Sequence, residues 1–171
     1  MNFIKYILIF FAFIISTYIG NLYSKKYSNR VTELEKLKNM LNVFKAKIKF
    51  TCVPIQDIFS QLYEENPDNI GEIFKQANNY IKENNAQEAW DKALENTKDK
   101  TNLKEEDITA LKTLGKMLGN TDIEGQVSQI ELTENLLNEQ IENAQEEKIK
   151  NSKLYKTLGV ATGLTIAIIL I

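Results

Sequence analysis

From Phe3 to Ile19 the chain reads FIKYILIFFAFIISTYI, and from Leu158 to Ile171 it reads LGVATGLTIAIILI. Two apolar runs at the two ends of one chain constrain the fold more than anything between them. Both need an apolar environment, and the segment that joins them has to leave it and return. As a helix, the first run of 17 residues spans about 26 Å, close to the thickness of a bilayer core. The second is 14 residues, or about 21 Å. Counting it from Leu154, with the Lys156 ammonium reaching back to the interface, brings it near a full span. A cleaved leader would also have a charged start and an apolar stretch, but no small-x-small site follows, and bulky and basic residues do. The first run is therefore expected to stay as an anchor.

Charge orients the two anchors. Lys25, Lys26 and Arg30 follow the first, and Lys148, Lys150, Lys153 and Lys156 precede or begin the second. The positive-inside rule then puts residues 21 to 156 in the cytoplasm, in a two-pass protein of the cell membrane with both termini outside. The lone thiol, Cys52, fits a reducing compartment, because a single cysteine builds no disulfide framework. The expected division is an N-terminal transmembrane anchor over 1–22, a cytoplasmic bundle over 23–153 and a C-terminal transmembrane anchor over 154–171.

The middle reads as helical throughout, with no sustained alternation that would signal strands. Leu34, Leu37, Leu41, Phe44 and Ile48 recur at spacings of three and four, a seam about two heptads long. Val53 and Pro54 break it, and Pro54 suits the first turn of a short helix over 54–64 that buries Ile55, Ile58, Phe59 and Leu62. Pro67 opens a third helix through Ile70, Ile73, Phe74, Ala77, Tyr80 and Ile81. A fourth has Asn85 as its N-cap and Glu88 three residues on, with Ala86, Ala89, Trp90, Ala93 and Leu94 on its inner face. A fifth starts near Asn102 and is stopped by Gly119. A sixth runs from Asp122 to about Lys156, with Val127, Ile130, Leu137, Ile141 and Ala144 on one seam, and continues into the second anchor. The fold class is thus all-α: a six-helix antiparallel cytoplasmic bundle between two transmembrane helices. In that arrangement the Pro54 turn and the Gly119–Asp122 turn share the membrane-distal tip.

Chemistry is conspicuously absent. There is no histidine, one cysteine, and no glycine spacing that would cradle a phosphate. Paired carboxylates such as Glu105/Glu106 and Glu146/Glu147 fall on solvated faces. Residues 21 to 156 carry a net charge of −3 without aromatic and basic residues interleaved, which argues against nucleic acid. No enzyme activity, cofactor, metal or small-molecule substrate is expected. Residues 25–50 carry eight basic and two acidic side chains, while 122–147 carry eight acidic and none basic. Mutual compensation of the first and last helices explains this more simply than an acidic face for a basic partner.

Small residues have structural uses. Gly115 inside a helix costs about 1 kcal/mol against alanine, and a notch for the bulk of Trp90 would offset that. Gly159, Gly163 and Ala167 recur every four residues, as do Ala12, Ser16 and Gly20, and such spacing lets helices approach closely in lipid. In antiparallel order Gly20 meets Gly159, Ser16 meets Gly163 and Ala12 meets Ala167. That predicts a two-helix hairpin, or the same contact between protomers.

Four stretches carry a family resemblance: KFTCVPI at the end of the basic first helix, Ala89–Trp90, LKTLGKMLGNTD followed by Gln126, and YKTLGVATG at the second anchor. Together with the two anchors they make the chain resemble stage III sporulation protein AB of endospore-forming bacteria, over its full length. The resemblance implies a channel complex joining mother cell and forespore, in the mother-cell membrane facing the forespore. It also implies similarity to the inner-membrane platform protein of type II secretion and type IV pilus systems, whose cytoplasmic domain has six helices. The implied partners are a hexameric secretion-type ATPase (the sporulation AA-like protein) and other sporulation channel proteins. Full platforms carry two such domains, so a homo-oligomer would restore the count. The distal tip is the expected docking surface: Val53, Pro54, Gly119, Asn120, Thr121, Asp122 and Gln126. A membrane-tethered helical adaptor that homo-oligomerises without an ATPase is the rival reading.

Overall fold

The structure, a computed structural model, describes residues 2–51, 53–119 and 121–170, with side chains from Lys5 onward. Among the described residues it contains six α-helices and no strand: α1 (Asn2–Thr51), α2 (Ile55–Glu65), α3 (Asn69–Tyr80), α4 (Ala86–Thr97), α5 (Glu105–Gly115) and α6 (Ile123–Leu170), with a 3-10 turn at Lys98–Lys100. The first predicted bundle helix is the continuation of the first apolar run, as the sixth is of the second. The chain divides into two compact units, one of residues 1–31 and 143–171, the other of residues 32–142, and α1 and α6 contribute to both.

The unit of residues 32–142 is built on aromatic rings. Phe44 of α1, Phe59 of α2, Phe74 of α3 and Trp90 of α4 are all fully buried. Phe59 lies within 5.4–5.9 Å of the other three ring centroids, and Phe74 lies 5.4 Å from Trp90. Offset and edge-on rings at such separations add to the burial term. The α1 seam of Leu34, Leu37, Leu41, Phe44 and Ile48 is buried throughout. Ile55, Tyr80, Ile81, Ala86 and Val127 are only half-buried, because each sits at or near a helix end.

Local chemistry fixes the boundaries. Asn85 caps α4 through its side chain, which accepts from Glu88 N at 2.9 Å. For α3 the cap is Asp68, whose Oδ1 accepts from Ile70 N and Gly71 N at 3.1 Å, so Pro67 precedes the cap instead of opening the helix. Lys36 donates to the other Asp68 oxygen. Partial burial pushes the Asp68 carboxyl up, but Lys36 and the two cap amides outweigh it and hold its pKa below the usual range. Helix α5 starts at Glu105, later than predicted, because Glu33 accepts from Asn102 N at 2.6 Å and Asn102 Nδ2 at 2.7 Å and ties that residue to α1 outside the helix. It also ends at Gly115, a turn before Gly119. Beyond it Met117 N and Leu118 N make 3.3 Å bonds three residues back, and Gly119 adopts φ 74°, the left-handed conformation expected of it.

Gly115 lies against Trp90: a Cβ there would come within 2.9 Å of Trp90 Cδ1. The indole Nε1 donates to Leu111 O at 2.8 Å, so ring and notch are held by one contact. Asp91, beside Trp90, has Oδ1 buried without a hydrogen-bond partner, and burial raises its pKa despite Lys112 and Lys116 nearby.

Candidate functional site

Two regions were expected to carry function, the apolar helix pair and the turns at the far end of the bundle. In the unit of residues 1–31 and 143–171, α1 and α6 lie antiparallel, as a ladder of contacts shows. Ser16 Oγ donates to Gly159 O at 2.8 Å. Tyr155 stacks between Tyr23 and Tyr27, with centroids 5.6 and 5.7 Å away. Ser24 and Ser152 share a hydroxyl hydrogen bond of 2.5 Å. Arg30, almost fully buried, donates to Glu147 at 2.8 Å.

Gly20 and Gly159 are both buried, and a Cβ on either would come within 2.9 Å of the other's Cα. No side chain larger than hydrogen fits there. The remaining pairs differ from the expected order. Ser16 bonds to Gly159 and not Gly163, and Gly163 packs on Phe13, whose Cδ2 would lie 2.8 Å from its Cβ. Antiparallel helices interdigitate, so a small residue faces the gap between two turns and not its depth-matched counterpart. Ala12 and Ala167 are half-buried, and Ala12 lines a groove with Ile166. The tyrosine stack and the Arg30–Glu147 pair were missed. Tyr23 and Tyr27, four apart on one helix face, were the available signal.

We expect Gly159→Leu to separate the helices. It places a branched side chain against Gly20 Cα and Ser16 O, and such overpacking costs about 1–3 kcal/mol. Cysteines in place of Ser24 and Ser152, whose hydroxyls lie 2.5 Å apart, should form a disulfide readily under mild oxidation. With the second cysteine moved one turn to Lys148, the pair should react more slowly. Equal rates would mean that the register is not fixed.

At the Pro54 and Gly119–Asp122 turns the predicted residues are occupied by local structure. Pro54 is the N-cap of α2, with extended backbone at φ −55° and ψ 143°. Asp122 Oδ1 accepts from Gly125 N at 2.9 Å and caps α6. Gln126 Nε2 donates to Thr121 O at 3.1 Å, tying the turn to the helix, while its Oε1 is buried without a partner. Thr121 Oγ1 donates to Met117 O. Val53, Thr121 and Gln126 are half-buried, and Pro54, Gly119 and Asp122 are exposed. Asn120, like Cys52, lies outside the described residues. Sequence reasoning passed over Phe50, 75% exposed, under the Lys49 ammonium at 5.5 Å. It lines a groove with Asn42, Ala46 and Val127 that places the end of α1 beside the start of α6. Lys45 crosses between the same helices to Glu134 at 2.6 Å and Glu131 at 3.8 Å, part of the compensation expected from the opposed charges. Among the described residues no cluster of three or more His, Cys, Asp or Glu could hold a metal.

α1 and α6 are each long and apolar enough to cross a membrane, by length and composition. A family model described as stage III sporulation protein AB matches residues 5–171. The chain is 25% identical over 162 residues to the stage III sporulation protein AB of Bacillus subtilis (strain 168), covering 94% of this chain and 95% of that one. A solved structure of stage III sporulation protein AB superposes with a TM-score of 0.66 at 21% identity, over 70% of this chain and 96% of that one.

Proposed function

The chain belongs to the stage III sporulation protein AB family, and on that footing we propose that it is a non-enzymatic inner-membrane platform. It sits in the mother-cell membrane facing the forespore, within a secretion-like channel complex needed for endospore formation. The apolar parts of α1 and α6 cross the bilayer with both termini outside, and the helical bundle faces the cytoplasm, where it docks a secretion-type ATPase. One observation carries the reading: α1 and α6 supply a close-packed apolar hairpin and also belong to the unit of residues 32–142, α1 through Phe44 of the aromatic core and α6 through its bonds to Lys45 and Thr113. Such a helix pair can hold a folded cytoplasmic unit at a membrane without any chemistry of its own.

For the docking surface we favour the Pro54 and Gly119–Asp122 turns. Their exposed members, Pro54, Gly119 and Asp122, combine fixed backbone with an exposed carboxylate, and the exposed Phe50 ring adds an apolar anchor of the kind that dominates interfaces. The test is saturable binding of the full chain, in detergent, to the purified sporulation AA-like ATPase. Asp122→Lys should weaken it at least about tenfold, as like-charge juxtaposition does at an interface. Asp122→Asn keeps the cap and should weaken it less. Binding that ignores both substitutions would move the site elsewhere. No binding at high micromolar concentration would sink ATPase docking and favour the homo-oligomerising adaptor.

A further inference from the structure

In the unit of residues 1–31 and 143–171 a groove of about 590 Å³ runs between α1 and α6. Its walls are graded. Asn21 and Lys156 line one end, Thr17 and Val160 the middle, and Phe13 and Ile14 the other end. The register fixes these levels: Gly20 lies on Gly159 and Tyr23 on Tyr155, so Asn21 and Lys156 are side by side. Phe13 lies on Gly163, eight residues from Asn21 and about 12 Å further along. The polar end opens onto a run of cations. Lys148, Lys153 and Lys156 line one depression on α6 and are exposed. None of the three has an ion-pair partner among the described residues. Between the two ends, Thr17 Oγ1 is buried and has no hydrogen-bond partner. A polar atom left orphaned among apolar helices calls for an explanation.

We propose that this groove binds one anionic phospholipid, with its phosphate at Lys156 and Asn21 and an acyl chain along Phe13, Ile14 and Val160. The inference rests on the reading of the hairpin as membrane-embedded. The dimensions suit it. One helical turn, about 6 Å, separates Asn21 from Thr17, so Thr17 stands level with the ester carbonyls of the glycerol, which lie deeper than the phosphate, and a turn about its χ1 would bring the buried hydroxyl to one of them. Charge selects the headgroup, because a lysine close to the surface favours anionic lipid over a zwitterion. A second copy's helix in the same groove would cover Lys156 without offering it a counter-charge. Free phosphate would leave the apolar end empty.

The experiment uses the full chain in a neutral detergent, with thermal unfolding followed against added lipid. Dioleoyl-phosphatidylglycerol should raise the midpoint saturably, while dioleoyl-phosphatidylcholine and inorganic phosphate at equal concentration should not. Lys156→Gln should weaken the apparent affinity about fivefold. Lys26→Gln, in the same basic band but outside the groove, should change it less than about twofold. Val160→Trp, which fills the groove one turn below Lys156 and leaves every charge, should abolish the preference for the anionic lipid. Equal responses to both lipids, or equal losses for Lys156→Gln and Lys26→Gln, would overturn the proposal. So would cysteines at Ile14 and Val160 that join two copies in a bilayer at a rate phosphatidylglycerol does not slow, since a second chain would then be the occupant. An alkaline carbonate wash of vesicles holding the chain separates the two levels. Release of the chain removes the membrane reading and the lipid site together, whereas retention without lipid preference removes only the lipid site.

Discussion

Replacing Gly71 by alanine is expected to destabilise the bundle by about 3–5 kcal/mol, although alanine is the better helix former by about 1 kcal/mol. The added Cβ would fall 1.7 Å from Asn66 O and 2.9 Å from Asn66 C. Those are backbone atoms, so relief requires moving the chain and not turning a side chain. The segment that would move is heavily committed. Asp68 N donates to Asn66 O at 2.9 Å, and the Asp68 carboxylate caps α3 through Ile70 N and Gly71 N. Shifting Asn66 therefore loosens the cap, worth about 1 kcal/mol, and withdraws the buried Ile70 beside it from the core. Urea unfolding followed by circular dichroism should show a lower midpoint at unchanged slope. Asn79→Ala, exposed on the same helix, should stay within about 0.5 kcal/mol of the parent. If Gly71→Ala behaves like that control, the loop is not held where the structure puts it.

Trp90→Ala should cost a comparable amount, about 3–5 kcal/mol. It removes a fully buried ring that touches Phe59 and Phe74, together with the bond to Leu111 O. The informative result is the coupling with Gly115. In the parent, Gly115→Ala should destabilise by about 1–2 kcal/mol, because its Cβ meets the indole Cδ1 at 2.9 Å. In the Trp90→Ala background that obstacle is gone, and the same change should become neutral or stabilising by up to about 1 kcal/mol. A double-mutant cycle reads the difference directly. Additive effects would mean that Gly115 is required for some reason other than the ring.

Whatever rests on periodicity or on a side chain's own capping chemistry was readable from the sequence. The α1 seam, the Asn85 cap, the Gly119 conformation and the notch between Gly115 and Trp90 all follow from residues within a helix or two of one another. The misplaced boundaries came from contacts distant in sequence. Nothing near Asn102 says that Glu33 will hold it and delay α5. Nothing near Pro67 ranks Asp68 above it until Lys36 and the two cap amides are in view. Gly71 escaped notice because a glycine near a helix start has many uses, and only the path of Asn66 shows which one applies. In the apolar hairpin the glycines announced a close approach, and Gly20 on Gly159 is that approach. The offset that seats Phe13 on Gly163 depends on how the side chains interdigitate, which depth counting does not capture. At the far turns, sequence marked the residues that shape the turns, and the exposed Phe50 ring emerged only with the fold.

Trp90 is also the chain's single tryptophan. Because it is fully buried against Phe59 and Phe74 with its indole N–H committed to a carbonyl, its ultraviolet emission should be blue-shifted and inaccessible to acrylamide. The seven tyrosines absorb little at 295 nm, so excitation there isolates one ring at the centre of one unit. The protein thus carries a built-in optical reporter, in detergent or bilayer and without any label, of whether the bundle stays closed when a partner engages its surface.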